Sequence, residues 1–170
     1  MSIAIPNDLI FAKEVSYQKH GYNFSQLVID SESINYGACT FKLNNSHLIF
    51  RTAKITPTKI GQFVTLWKRD NSRATSPFSD EDHVDFVIIS TRYGTQIGQF
   101  IFPKQILIAQ QIISTTIRNG KCGFRVYPPW DLAVNKQAKE TQKWQLRYFL
   151  NLTEEDPTIS VSLQALMNGK

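Results

Sequence analysis

Between Val84 and Phe102 the chain carries a run that leaves few structural options. Val84, Phe86, Val87, Ile88 and Ile89 follow one another with a single interruption, and β-branched and aromatic side chains dominate. A short apolar run of this composition marks a buried strand rather than a helix. Tyr93-Gly94-Thr95 supplies a turn, Gln96 to Phe102 reads as the return strand, and Pro103 stops it. A central hairpin of this kind needs further strands beside it and other elements packed over it.

The neighbouring text provides them. Pro6-Asn7-Asp8 opens a helix running to about Lys19, with Leu9, Ile10, Ala12 and Val15 on its apolar side and Gly21 at its end. Tyr36 to Leu43 alternates as a strand, Asn44-Asn45-Ser46 turns, and His47 to Lys54 returns. The segment Ile55–Gly61 breaks the pattern, because Pro57 lacks a donor and pushes Thr56 out of the helical region. Phe63 to Lys68 is a third strand, 69–82 a polar loop, 103–113 a helix, and Lys121 to Tyr127 a sixth strand closed by Pro128-Pro129. A helix follows from Asn135 to about Leu152, and Ile159 to Met167 adds a last apolar element. Short turns between sequential strands predict an α+β fold: a single domain over 1–170, with a largely antiparallel or mixed sheet of about six strands flanked by helices.

At 170 residues the chain is long enough for one core. Its 19 basic and 14 acidic residues leave a net charge of +5, and its pI is near 9.2. The acids cluster as Asp80, Glu81, Asp82 and Asp85 and again as Glu154, Glu155 and Asp156, so the remaining surface is expected to be more basic than the average. Cys39 and Cys122 show no disulfide framework and read as buried reduced thiols. The N-terminus has neither the basic region nor the apolar core of a signal peptide, and no apolar run approaches the ~18 residues of a membrane span. The expected location is the cytoplasm, with no membrane partner.

The region after Asn135 carries the clearest charge pattern. With Lys136 at zero on a helical wheel, Lys139, Lys143 and Arg147 fall at about 300°, 340° and 20°. Trp144, Tyr148, Leu152, Ala138 and Phe149 occupy the opposite arc, while Glu140 lies inside the cationic stripe and Leu146 and Leu150 flank it. Such a stripe is either a solvated face or a seat for a polyanion.

Three strings carry a family resemblance. They are Phe50-Arg51-Thr52-Ala53-Lys54-Ile55-Thr56-Pro57-Thr58-Lys59-Ile60-Gly61-Gln62-Phe63 continuing to Arg69, Gly98-Gln99-Phe100-Ile101-Phe102-Pro103-Lys104, and Arg125-Val126-Tyr127-Pro128-Pro129-Trp130-Asp131 with Lys136 to Gln145. Together they resemble the bacterial MepB-like family over roughly residues 30 to 152. Some members of that family are encoded beside a multidrug exporter. The resemblance implies a fold similar to nuclease-type, restriction-endonuclease-like nucleic-acid-binding domains, and it supplies little mechanism.

The basic residues in or beside these strings, Lys68, Arg69, Lys104 and Lys121 among them, point to phosphate contact. Arg51, Lys54, Lys59, Arg125, Lys136, Lys139, Lys143 and Arg147 are candidate nucleic-acid-binding cations, with Thr56 and Thr58 as hydrogen-bonding partners and Trp130 as a platform for an unpaired base. Arg51 and Lys54 have odd spacing, so a bend near Thr52 or Ala53 is needed before both can face one side. The expected partner is DNA or RNA, read with little sequence preference and no cofactor. A second possibility is a metal-dependent nuclease with Asp85, Gln99 and Lys104 as the catalytic set and Asp82 and Asp85 holding Mg²⁺ or Mn²⁺. Gln99 stands where that chemistry wants a carboxylate, and an amide holds Mg²⁺ more weakly. The third is a binder of a small anion linked to drug response, with Thr56, Thr58, Lys59 and Arg125 lining its pocket. No Gly-rich phosphate loop, GxSxG, paired histidine motif or CxxC is present.

Overall fold

The computed structural model describes residues 4–153 and 159–169. The acidic group Glu154–Asp156 lies outside them. In chain order the elements are α1 Asn7–Ala12, β1 Phe24–Ile29, β2 Cys39–Leu43, β3 Ser46–Thr52, β4 Lys54–Ile55, β5 Gln62–Thr65, β6 Lys68–Arg69, β7 Thr75–Ser76, β8 Phe86–Tyr93, β9 Gln96–Pro103, α2 Lys104–Ala109, β10 Gly123–Val126, α3 Lys136–Gln145, β11 Phe149–Asn151 and α4 Ile159–Asn168. The fold is α+β, as the strand spacing predicts.

Six strands form the main sheet in the order β1-β2-β3-β8-β9-β11. Every neighbouring pair is antiparallel except β3 and β8, so the sheet is mixed. The central hairpin turns at Gly94-Thr95 with Tyr93 paired to Gln96, and Gly94 takes a φ of +59°. Side chains alternate across β8 into two separate cores. Phe86 and Ile88 join Leu9, Tyr17, Phe41, Phe50, Leu163 and Met167 on one side. Val87 and Ile89 join Ile49, Val64, Phe100, Phe102, Phe124 and Val126 on the other. A strand that feeds two cores needs apolar side chains on both faces, which is why its sequence runs without alternation. Each fully buried Phe or Ile contributes roughly 1.5–3 kcal/mol.

The first core is closed by α1, by a π-helical turn at Lys13–Tyr17, and by α4. The wide turn places Ser16 and Tyr17, neighbours in sequence, both in the interior. The second core is closed by a smaller sheet, β10-β5-β4, together with α2 and α3. The chain passes from the main sheet to the small one at Ala53, whose N–H donates to the Ser90 carbonyl (2.9 Å). The break does not bring Arg51 and Lys54 to one side, since Arg51 is buried and Lys54 is exposed.

Several boundaries differ from expectation. Residues 34–36 form a 3-10 turn, so β2 begins only at Cys39. The 69–82 loop contributes β6 and β7, a small ribbon. The strand β1 has no clear sequence signal, because its ladder is bulged between Ser25 and Val28 with Gln26 at φ +56°. The basic helix ends at Gln145 instead of Leu152. Phe149, Leu150 and Asn151 pair with Phe100, Gln99 and Gly98 at the sheet edge. A Cβ on Gly98 would collide with the Phe149 ring, so that glycine is what lets the ring lie on β9. Tertiary pairing here overrides helical periodicity.

Candidate functional site: a cationic cleft beside α3

Where the small sheet meets α3, a half-open cleft of about 610 Å³ forms. Its floor holds Phe124 and its walls carry Tyr127, Trp144, Gln137 and Thr141. Lys59 and Lys121 line it from exposed positions and Arg125 from a half-buried one. Among the described residues no acidic side chain lines it. The three ion pairs among the described residues, Lys68–Asp82, Arg69–Glu32 and Arg92–Asp8, all involve other cations.

The frame around Arg125 is well defined. It projects from β10, which pairs with β5 on one side only. Gln145 of α3 serves the other side: its Oε1 accepts from Tyr127 N (2.8 Å) and its Nε2 donates to Arg125 O (2.9 Å). A fully buried amide thus takes the place of a neighbouring strand. Gln142 Nε2 donates to the carbonyls of Asp131 (2.8 Å) and Pro128 (3.0 Å), pinning the loop that leads into α3. The Arg125 guanidinium reaches back across the 56–61 loop, donating to Thr56 Oγ1 at 2.8 Å. Gly61 adopts φ +85°, and a Cβ there would come within 2.7 Å of the Tyr127 ring. The ring therefore lies directly on the loop backbone. Asn135 caps α3 by accepting from Ala138 N (2.8 Å). Burial raises the Asp131 carboxyl above its ordinary pKa.

The sequence candidates divide sharply. Thr58, Lys59 and Arg125 share the cleft, and Thr56 orients Arg125. Arg51 does not face solvent: it is 2 % exposed, its Nη1 donates to Phe50 O (2.9 Å), and its Nε has no partner. Burial lowers its pKa, with Asp30 partly opposing. Its alternating position on a strand buried on both sides rules out phosphate contact. Lys54 is exposed on β4, with its Nζ 4.5 Å from the Tyr36 ring centroid, and does not line the cleft. Trp130 is no open platform. Its ring packs edge-on against Phe149 (5.8 Å) and its Nε1 is buried without a partner. Lys136, Lys139, Lys143 and Arg147 are all exposed. None of the four lines the cleft, to which α3 contributes Gln137, Ala138, Thr141, Trp144 and Gln145. The stripe and the cleft cations are therefore two separate groups.

The nuclease set does not assemble. Gln99 is fully buried and its Oε1 accepts from the Tyr17 hydroxyl in the first core. It pairs across the sheet with Ser90, five residues along from Asp85, which is roughly 17 Å of strand. Asp85 Oδ2 accepts from His47 N (2.8 Å), and Asp82 pairs with Lys68 (2.7 Å) while accepting from Ser79 N (2.7 Å). Lys104 Nζ donates to the carbonyls of Asp80 and Asp82, both at 2.6 Å. These groups tie a loop to the sheet. Among the described residues no three His, Cys, Asp or Glu side chains converge on a point where Mg²⁺ or Mn²⁺ could sit.

Tyr127 is not among the sequence candidates, and Lys121 enters only in the wider set of basic residues beside the family strings. Lys121 precedes β10 by two residues, at the end of β10 that pairs with Thr65, and its N–H donates to Ile112 O (2.9 Å), so it enters the cleft from the side opposite the 56–61 loop. The Pro128-Pro129 stop is the nearest local signal for Tyr127.

The molecule is thus an α+β domain with a six-stranded mixed sheet, a second small sheet and a cationic cleft at the edge of that second layer. The chain belongs to the MepB-like family, whose model matches residues 30–151. A solved structure, the crystal structure of MepB, is 35 % identical with a TM-score of 0.76, covering 88 % of this chain and 99 % of its own. No curated protein matches the chain. No helix among the described residues is long and apolar enough to cross a membrane.

Proposed function

We propose that the protein binds nucleic acid through phosphate contacts made in the cleft, with little sequence preference. The observation that carries this is that Lys59, Lys121 and Arg125 line one open cleft with no carboxylate in its lining among the described residues. Lysine and arginine neutralise phosphates and release counterions, and such contacts carry no base information. The expected setting is the cytoplasm, consistent with the unpaired Cys39 and Cys122. Fluorescence anisotropy of a labelled single strand, titrated across salt, is the test. Three phosphate contacts on a single strand predict a log–log salt slope of about −2. Absence of binding at low salt rejects the reading.

A second reading, a site for one small phosphate- or carboxylate-bearing ligand, is favoured by the cleft's volume of about 610 Å³. Small-molecule sites typically span roughly 300–1,000 Å³. A saturable thermal shift with a mononucleotide, combined with no binding of oligomers, would select it.

A further inference from the structure

Charge explains only half of the cleft. Phosphate oxygens gain nothing from apolar walls, yet this lining carries the rings of Tyr127 and Trp144 and, at its mouth, Ile60 and Val134. Both aliphatic side chains face water, at 42 % and 65 % exposure, beside the cations. Water-exposed valine and isoleucine at the lip of a cleft fit an apolar or flat group seated against them. The two rings are held in place. Tyr127 rests on Gly61, and its backbone is fixed by Gln145. Trp144 is backed by Phe102 at 5.4 Å between centroids. Gln137 and Thr141 stand on the same wall, and their side chains make no hydrogen bond to the protein among the described residues.

A ligand that matches all three properties has an anionic group, a flat face and polar edges. We propose that the cleft seats one base of a single strand, unstacked against the Tyr127–Trp144 wall beneath the Ile60–Val134 lip, while successive phosphates of the strand lie on Lys59, Lys121 and Arg125. This rests on the phosphate-binding reading and narrows it, because a duplex keeps its bases stacked inside and cannot present one to the wall. Stacking on a ring tolerates any base, which agrees with weak sequence preference. Gln137 and Thr141 meet the base edge with groups that can donate or accept.

The test compares a labelled single strand, its abasic counterpart of equal length and the matching duplex, in both deoxy and ribo forms. The intact single strand should bind roughly tenfold more tightly than the abasic strand and more tightly than the duplex, in at least one of the two sugar forms. Ile60→Ser with Val134→Ser, both at exposed positions that the fold tolerates, should shrink the intact-to-abasic gap and leave the salt slope unchanged. Equal affinity for intact and abasic strands with a steep salt slope would overturn the base seat and leave phosphate binding standing. A gap that the double variant does not change, or preference for the duplex, would also overturn it. No binding of any strand at low salt would remove both readings together.

Discussion

The two sides of α3 present opposite solutions to a polar surface. Outside, Lys136, Lys139 and Lys143 stand in water with no partner among the described residues. Inside, the helix shows no cation. It shows Gln137, Thr141, Trp144 and Gln145, and the positive charge comes from elsewhere, from Lys59 in a loop and from Lys121 and Arg125 at β10. The outer charges are defined by helical spacing alone. The inner ones exist as a group only because β10 pairs with β5 and Gln145 clamps α3 to β10. Three cations brought together on different elements with no carboxylate among them raise the local potential more than the same number spread along an exposed helix, where water and salt screen them.

The largest test of this contrast is a stability measurement. Gln145→Ala removes a buried amide and leaves Tyr127 N and Arg125 O without partners. It should cost about 2–4 kcal/mol in urea denaturation. Lys139→Ala, on the outer side, should change stability by less than about 0.5 kcal/mol. Comparable losses would mean that the outer face is also structural. Binding gives the next largest effect. Lys59→Ala with Arg125→Ala should weaken single-strand affinity about 10- to 100-fold and reduce the magnitude of the salt slope by about 1.4 units. Lys136→Ala, Lys139→Ala and Lys143→Ala combined should leave the slope nearly unchanged. The reverse pattern, read in the same anisotropy titration, would move the interface to the outer stripe.

That pattern of charge was the easiest thing to see in the chain and the least informative about the cleft. Helical spacing reports what a helix shows to water, and all four stripe residues are indeed exposed. It contains nothing about which strands lie nearby. The central hairpin was legible because Val87 and Ile88 serve different cores and both must be apolar. Arg51 misled for a related reason: a charged residue in an apolar strand reads as exposed, whereas here it is enclosed and donates to its own neighbour's carbonyl. Phe149 suits a helix face and a sheet edge equally, so the helical pattern runs past the true end of α3, and the bare Gly98 on β9 leaves room for the edge pairing. Thr58, Lys59 and Arg125 could be named as one pocket from the family strings. Lys121 and Tyr127 depend on strand pairing that no local pattern encodes.

Gly61→Ala probes the seam between loop and cleft with a smaller effect. A Cβ at φ +85° is strained and meets the Tyr127 ring at 2.7 Å. The expected loss is about 1–2 kcal/mol, measured by urea denaturation, with Tyr127 displaced toward the cleft. If the substitution were tolerated without cost, the Tyr127 ring would not be anchored on the loop, and the inner wall would be softer than its contacts indicate.

The smallest expected effect concerns charge of the opposite sign. Asp131 sits in the loop that Gln142 pins beside the cleft, and burial raises its pKa. A raised folded-state value means that the native protein holds this proton more firmly than the unfolded chain does. Stability therefore falls as pH rises from the ordinary carboxylate range through the raised value, and stays level above it. Asp131→Asn removes that loss. Its melting temperature should exceed that of the unaltered protein by about one or two degrees at neutral pH, since the group is partly exposed and screened. Below the carboxylate range the two should coincide. A gain that persists in acid would trace to amide hydrogen bonding instead of charge, and the inner side of α3 would then owe its lack of carboxylates to something other than the cost of burying one.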